Sequence, residues 1–170
     1  AWECKTGSKL RKVKGSVCAS CYALKGNYTR YKAIKAAQYD RLEKIKNSLW
    51  VAAMVVQVKR QKYFRWHDAG DVQDLDHLKK IYSVCRLTPE VKHWMPTREA
   101  WIKNHLDSKP ANLVIRFSPP MIGQRNDSWP NSSMVVESGA TCPAPKQNNS
   151  CGDCRACWDP LVKVVSYGKH

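Results

Sequence analysis

From about Thr29 onward the chain places apolar side chains at Tyr31, Ile34, Leu42, Ile45 and Leu49 with lysines between them, close to the 3.6-residue repeat of a helix. Thr29 stands where a side-chain oxygen caps a first turn. A second helix, or a continuation of the first, runs to about Arg60 through LWVAAMVVQV, Leu49 to Val58. Beyond it the pattern shortens. YFRWHDAGD reads as a strand with its exit loop, DLDHLKKIYSVCRL as a helix, VKHWMP as a strand, TREAWIKNHLDS as a helix and NLVIRFS as a strand, and SMVVES and LVKVVSY add one or two more. This alternation predicts parallel strands covered by helices. The units are too few for a closed eight-stranded barrel. The expected fold is α/β: a small open or partial parallel β/α barrel-like sheet, with a cysteine-rich metal-binding loop near the C-terminus. Residues 1–170 are read as one domain: a cysteine-bearing loop over 1–28, a basic helical region over 29–62, β/α units over 63–141, and the cysteine cluster with the last strand over 142–170.

Composition adds that 170 residues, 43% of them hydrophobic, suffice for one real core. The longest apolar run, Leu49 to Val58, is about half of a membrane span and reads as a buried helix. The net charge of +15 is uneven, because residues 1–62 hold 15 Lys and Arg against 3 acids while residues 63–170 hold 14 against 11. A basic half attracts polyanions. Lys25, Arg30, Lys32, Lys35, Lys44 and Lys46 are the candidate nucleic-acid contacts, with Tyr22, Tyr28, Tyr31 and Tyr39 placed to stack on bases. The plainer reading of such lysines is the wet face of a helix.

The cysteines bring sharper chemistry. Cys151, Cys154 and Cys157 in CGDCRACW have the two-residue gaps that gather soft thiolates at one point, as in ferredoxin-type runs. Pro160 and Leu161 stand where such a run would carry its fourth cysteine, so that ligand is sought at Cys142, at the pair Cys18 and Cys21, or at Cys4. An iron-sulfur cluster, [4Fe-4S] in type, is the expected cofactor, with zinc as the alternative because paired CxxC spacings also build tetrahedral sites. Disulfides are disfavoured by the charged opening segment, which does not read as a signal peptide. Cys85, within IYSVCRL, reads as a small core hydrophobe.

Ligands of parallel α/β sheets bind at the carboxyl ends of the strands. There the chain collects His67, Asp68, Gly70 and Asp71 after the first strand, Thr97 and Arg98 after the second, Ser118 after the third and His170 after the last. His67, Asp68, Asp71, Arg98, Ser118 and His170 are the candidate catalytic residues. A histidine beside carboxylates serves as a general base or a metal ligand, and an arginine holds an anion by a bidentate fork. Asp71 or Asp74 would alternatively cap the helix that follows. Ser118 lacks the GxSxG frame of a hydrolase nucleophile. A radical S-adenosylmethionine motif would need a cysteine at Lys14, and the zinc-deaminase pattern is absent.

Taken together, KTGSK, CYALKGNY, YFRWHDAGD, NLVIRFS, CGDCRACW and VVSYGKH resemble, in order and over nearly the whole chain, the bacteriophage gene product eighty-eight family. The family pattern falls on Cys21, Tyr22, Lys25, Gly26, Tyr28, Arg65, His67, Gly70, Asp71, Asn112, Leu113, Ser118, Cys154, Cys157, Trp158 and His170. The resemblance implies a phage-encoded cluster protein made in host cytoplasm. The expected function is a cluster-dependent hydrolase of an ester or phosphoester acting on a small-molecule or nucleic-acid substrate. The alternatives are a nucleic-acid-binding protein with a structural cluster and a divergent radical S-adenosylmethionine-like or redox protein.

Overall fold

The structure is a computed structural model that describes residues 3–169. Five strands form one sheet in sequential order, all parallel: β1 (Tyr63–Arg65), β2 (Lys92–Thr97), β3 (Leu113–Phe117), β4 (Ser132–Val136) and β5 (Val164–Gly168). The open parallel sheet is therefore the predicted one. Its weak joint lies between β3 and β4, which share a single residue pair, Phe117 with Ser132.

The two faces of the sheet differ because alternate residues serve different partners. Phe64, His93, Met95, Leu113, Ile115 and Phe117 point to the helical side. There α4 (Trp50–Val58) and α5 (Leu75–Leu87) pack together and the main core forms around Leu78, Ile81, Val84 and Cys85. Trp94, Arg116, Val165 and Tyr167 face the other side, where the segment around a 3₁₀ turn at Ala156–Trp158 covers the sheet in place of a helix.

α5 follows from its sequence. Asp74 caps it, its Oδ1 accepting from His77 N–H at 2.8 Å. Its buried positions His77, Leu78, Ile81, Tyr82, Val84 and Cys85 make one stripe. Cys85 is the core residue expected of it.

Other elements depart from expectation. The opening segment holds a helix, α1 (Lys5–Leu10), where a loop was expected. The region from 29 to 60 divides into α2 (Asn27–Arg30), α3 (Lys32–Lys44) and α4. Thr29 lies inside α2 with its hydroxyl donating to Gly26 O, and Tyr31 stands at the start of α3 without a side-chain cap. TREAWIKNHLDS forms a 3₁₀ helix, Ala100–His105, in place of an α-helix. Glu99 ahead of it is buried and turned to other work: its carboxylate accepts from Thr6 N–H, Thr6 O–H and Trp101 Nε1 at 2.9–3.2 Å, anchoring the N-terminal segment. No helix among the described residues is long and apolar enough to cross a membrane.

The cysteine-rich metal-binding loop is corrected. Among the described residues no three His, Cys, Asp or Glu side chains are disposed to hold a metal ion. The expected [4Fe-4S] cluster, the zinc alternative and the cluster-dependent functions built on them therefore fall away. Cys142, Cys151, Cys154 and Cys157 line a recess of only about 20 Å³, room for about one water and not for a four-iron cubane. Burial pushes the Cys157 thiol up, and its Sγ lies 3.0 Å from Tyr167 Oη. Cys4 and Cys18 lie apart from these, beside Gly7 at the other end of the chain, with the Cys4 thiol pushed up to about 12 chiefly by burial. Cys4, Cys18, Cys21, Cys142, Cys151, Cys154 and Cys157 are all free thiols. The two-residue gaps serve turns that carry Cys157 into the packing beneath Trp94.

Candidate functional site

A cleft of about 370 Å³ opens at the carboxyl end of β1, within the range of small-molecule sites. Its floor is the β1 exit: Phe64, Arg65, Trp66, His67, Asp68, Gly70 and Asp71. Its roof is α3, whose Ile34, Gln38, Arg41 and Leu42 recur at helical spacing along the inward side, continued by Ile45 just past its end. Trp50 and Met54 of α4, Tyr28 and His77 close the remaining walls. None of α3's residues is buried, so this stripe faces the cleft and does not pack into the core.

The β1 exit is shaped by backbone as much as by side chains. Trp66 N–H extends the ladder to Trp94 O at 2.8 Å. His67 then takes a left-handed conformation, φ 56°, and Gly70 another at φ 92°. A left-handed non-glycine residue costs about 1 kcal/mol, and such outliers gather at binding and catalytic sites. The turn sets the His67 ring edge-on to His77 with centroids 5.6 Å apart. Burial, then the neighbouring His77 and Arg65, pulls His67 down to about 3, so its imidazole is neutral at physiological pH. His77, pulled down to about 4 chiefly by burial, accepts from Gln73 N–H through Nδ1. Three polar atoms of the cleft residues, His67 Nε2, Gln38 Oε1 and Trp66 Nε1, are sealed from solvent without a hydrogen-bond partner among the described residues. Such atoms cost about 1–3 kcal/mol each.

The other predicted rim residues are placed as follows. Asp71 is buried; Oδ1 accepts from Val72 N–H and Thr97 O–H, and Oδ2 from Arg98 N–H, at 2.7–2.8 Å. Burial outweighs these bonds and raises the acid to about 6. Asp71 thus ties the β1 exit to the end of β2, and Asp74, not Asp71, caps α5. Asp68 is exposed, its carboxylate accepting from Tyr28 Oη and its carbonyl from Tyr22 Oη. Arg98 donates through Nη1 to Ser118 O and Pro119 O at 3.3 and 3.0 Å, bracing the β3 exit. Ser118 is buried, with its N–H on Thr97 O. His170 lies outside the described residues. Of the six, His67, Asp68 and Asp71 line the cleft.

The basic half is exposed as expected at Lys25, Arg30, Lys32, Lys35, Lys44 and Lys46. Two of these carry partners on their own helical segment: Lys44 pairs with Asp40 at 2.6 Å and Lys46 with Glu43 at 3.1 Å. Arg41, on the cleft side of α3, has no carboxylate partner among the described residues.

Arg116 has a role that its sequence position did not display. It is fully buried, and its guanidinium donates to five main-chain carbonyls, those of Cys157, Ser132, Val162, Ala156 and Asp159, at 2.7–3.4 Å. It holds the cysteine segment on the sheet. Its signal was an arginine inside the apolar run NLVIRFS, because a charge buried at mid-strand needs a full set of partners. Gln38 was likewise missed, for a lone glutamine on a basic helix carries no spacing signal.

No curated protein and no solved structure matches the chain. The family described as Gene product 88 matches residues 2–160, nearly the whole length, and the chain belongs to this bacteriophage family.

Proposed function

We propose that the protein binds a nucleotide, free or as a unit of a single strand, in the cleft between α3 and the β1 exit, in the cytoplasm of the phage's host. The observation that carries this is the inward stripe of α3. It lines a cleft in whose wall His67 Nε2 and Gln38 Oε1 are sealed and have no hydrogen-bond partner among the described residues. A group that enters and displaces the side chains around them restores both hydrogen bonds.

The chemistry of the walls selects the ligand. Gln38 Oε1 only accepts, so the ligand brings an N–H or O–H. Neutral imidazole takes either role, and the paired demand suits the donor and acceptor edge of a nucleobase. Trp50 and Phe64 offer aromatic surface to a flat ring, with Trp66 packed behind them. Asp68 is engaged by Tyr28 and Asp71 by three donors, whereas Arg41 is free for a phosphate. A pKa near 3 makes His67 a weak base at neutral pH, and its role here is recognition by a neutral hydrogen-bonding ring.

Trp50 and Trp66 supply the readout. Titration with adenosine, guanosine, cytidine and uridine monophosphates is expected to quench tryptophan fluorescence saturably for at least one base. Gln38→Leu should weaken that ligand up to about tenfold, the value of one hydrogen bond, without lowering the unfolding temperature. Absence of saturation by every nucleotide up to about 1 mM, where binding is worth only about 4 kcal/mol, would overturn the reading.

A further inference from the structure

Away from the cleft, on the sheet face that carries the cysteine segment, three cations gather around one ring. Lys62 Nζ lies 6.0 Å, Lys92 Nζ 5.9 Å and the Arg155 guanidinium carbon 4.7 Å from the centroid of Tyr63. They come from three places in the chain: the residue before β1, the first residue of β2 that pairs with Tyr63 in the ladder, and the turn between Cys154 and Ala156. None of the three has an ion pair to a carboxylate among the described residues.

Cations brought together without acids repel one another, and the π face of Tyr63 offsets only part of this. Arg155 is also held in place. Its Nη1 donates to Gly152 O and Cys154 O at 2.5 and 2.8 Å, which leaves Nε and Nη2 to receive an oxyanion. Tyr63 in turn is fixed edge-on to Trp158 at 5.5 Å, and Trp158 is anchored by Nε1 on Phe64 O.

We infer that this cluster is a contact site for the phosphodiester backbone of single-stranded nucleic acid, with Arg155 as the oriented fork and Lys62 and Lys92 as flanking point charges. The chain's charge of +15 favours such a partner at long range. The site stands independently of the cleft, because none of its residues lines it.

The test is fluorescence anisotropy of the full chain with a labelled oligothymidylate of about 15 nucleotides across a salt series. Wild-type protein should bind with an affinity that falls as salt rises. Lys62→Gln with Lys92→Gln, both exposed and with Arg155 left in place, should flatten the log–log salt slope by about 1.4, the loss of two phosphate contacts on a single strand. Lys79→Gln with Lys103→Gln, exposed elsewhere, should leave it unchanged. An unchanged slope in the Lys62 and Lys92 variant overturns the site and leaves Lys62 as a guard of the edge strand β1 and Lys92 as a solvated surface charge. So does absence of oligonucleotide binding by the wild type, or binding only to phosphatidylserine vesicles. Nucleotide quenching in the cleft is unaffected by either substitution, so failure of one site is distinguishable from failure of the other.

Discussion

α3 and α5 are both thirteen residues long and stand in opposite relation to the rest of the molecule. α5 buries six residues, begins at a hydrogen-bonded Asp74 cap and ends with Arg86 in its last turn, so cap, dipole and apolar stripe agree. α3 buries none, begins without a side-chain cap and places Lys32 and Lys35 in the turn where a helix dipole favours acids. Its tie to the body includes Lys80, which donates to Ile45 O at 2.7 Å just beyond its C-terminal end. α5 carries a continuous apolar stripe, whereas the cleft side of α3 mixes Ile34 and Leu42 with Gln38 and Arg41. What also separates them is what the spacing faces: a core in α5, a cleft in α3. A helix placed over a cleft contributes less to folding and stays available to a ligand.

Truncation breaks or sustains this contrast most directly. Ile81→Ala on α5 removes a fully buried side chain and should cost about 2–5 kcal/mol in urea unfolding. Ile34→Ala on α3, where the side chain is 37% exposed, should cost less than about 1 kcal/mol. Equal losses would mean that α3 belongs to the core after all.

How far the sequence displayed this difference depends on the element. The stripe of α5 and the buried runs of β2 and β3 were legible because period and apolarity act locally. The stripe of α3 was less legible, because Gln38 and Arg41 interrupt it between Ile34 and Leu42, and nothing in it tells whether a sheet or a cleft lies beneath. His67, Asp68 and Asp71, which line the cleft, were singled out because strand ends of parallel sheets gather polar residues. Gln38, Glu99 and Arg116 were not, because their partners lie up to 93 residues away or are main-chain carbonyls. The cysteine spacing misled for a related reason. A two-residue gap states that sulfurs can meet, whereas Arg116 and Tyr167 decide where the loop is held.

Acid should act on the contrast next, through histidines buried around the shared wall of the cleft and the core. His67 is held down to about 3, and His77 and His93 to about 4, in each case chiefly by burial. Their folded values lie below the unfolded value near 6.5, so their stabilising contribution is complete above about pH 6.5 and is withdrawn as pH falls toward 4. Each withdraws up to about 1.4 kcal/mol per pH unit in that window. Asp71, raised to about 6, works in the opposite direction as it takes up its proton, and one acid offsets part of what three histidines remove. Unfolding free energy measured from pH 7 to pH 4.5 should therefore fall, and His77→Gln should flatten the slope by reducing the number of buried imidazoles. A flat profile in the wild type would place these rings in water.

The smallest effect separates the two helices at their surfaces. Asp40 and Lys44 of α3 are an exposed i, i+4 pair at 2.6 Å, with the acid toward the N-terminus, the orientation a helix favours, and such pairs contribute about 0.3–0.5 kcal/mol. On α5 the matching pair, Asp76 with Lys80 at 3.0 Å, includes a lysine whose side chain is only 20% exposed and which also holds Ile45 O. Asp40→Ala should shift the urea midpoint barely and lose even that shift in high salt, since screening removes what an exposed pair supplies. Lys80→Ala should cost more, and its effect should persist in salt, because it releases the carbonyl at the end of α3 as well as an ion pair. If Lys80→Ala also weakens nucleotide quenching while Asp40→Ala does not, α3 is positioned over the cleft from its C-terminal end. The helix that buries nothing would then owe its place to a lysine borrowed from the helix that buries most.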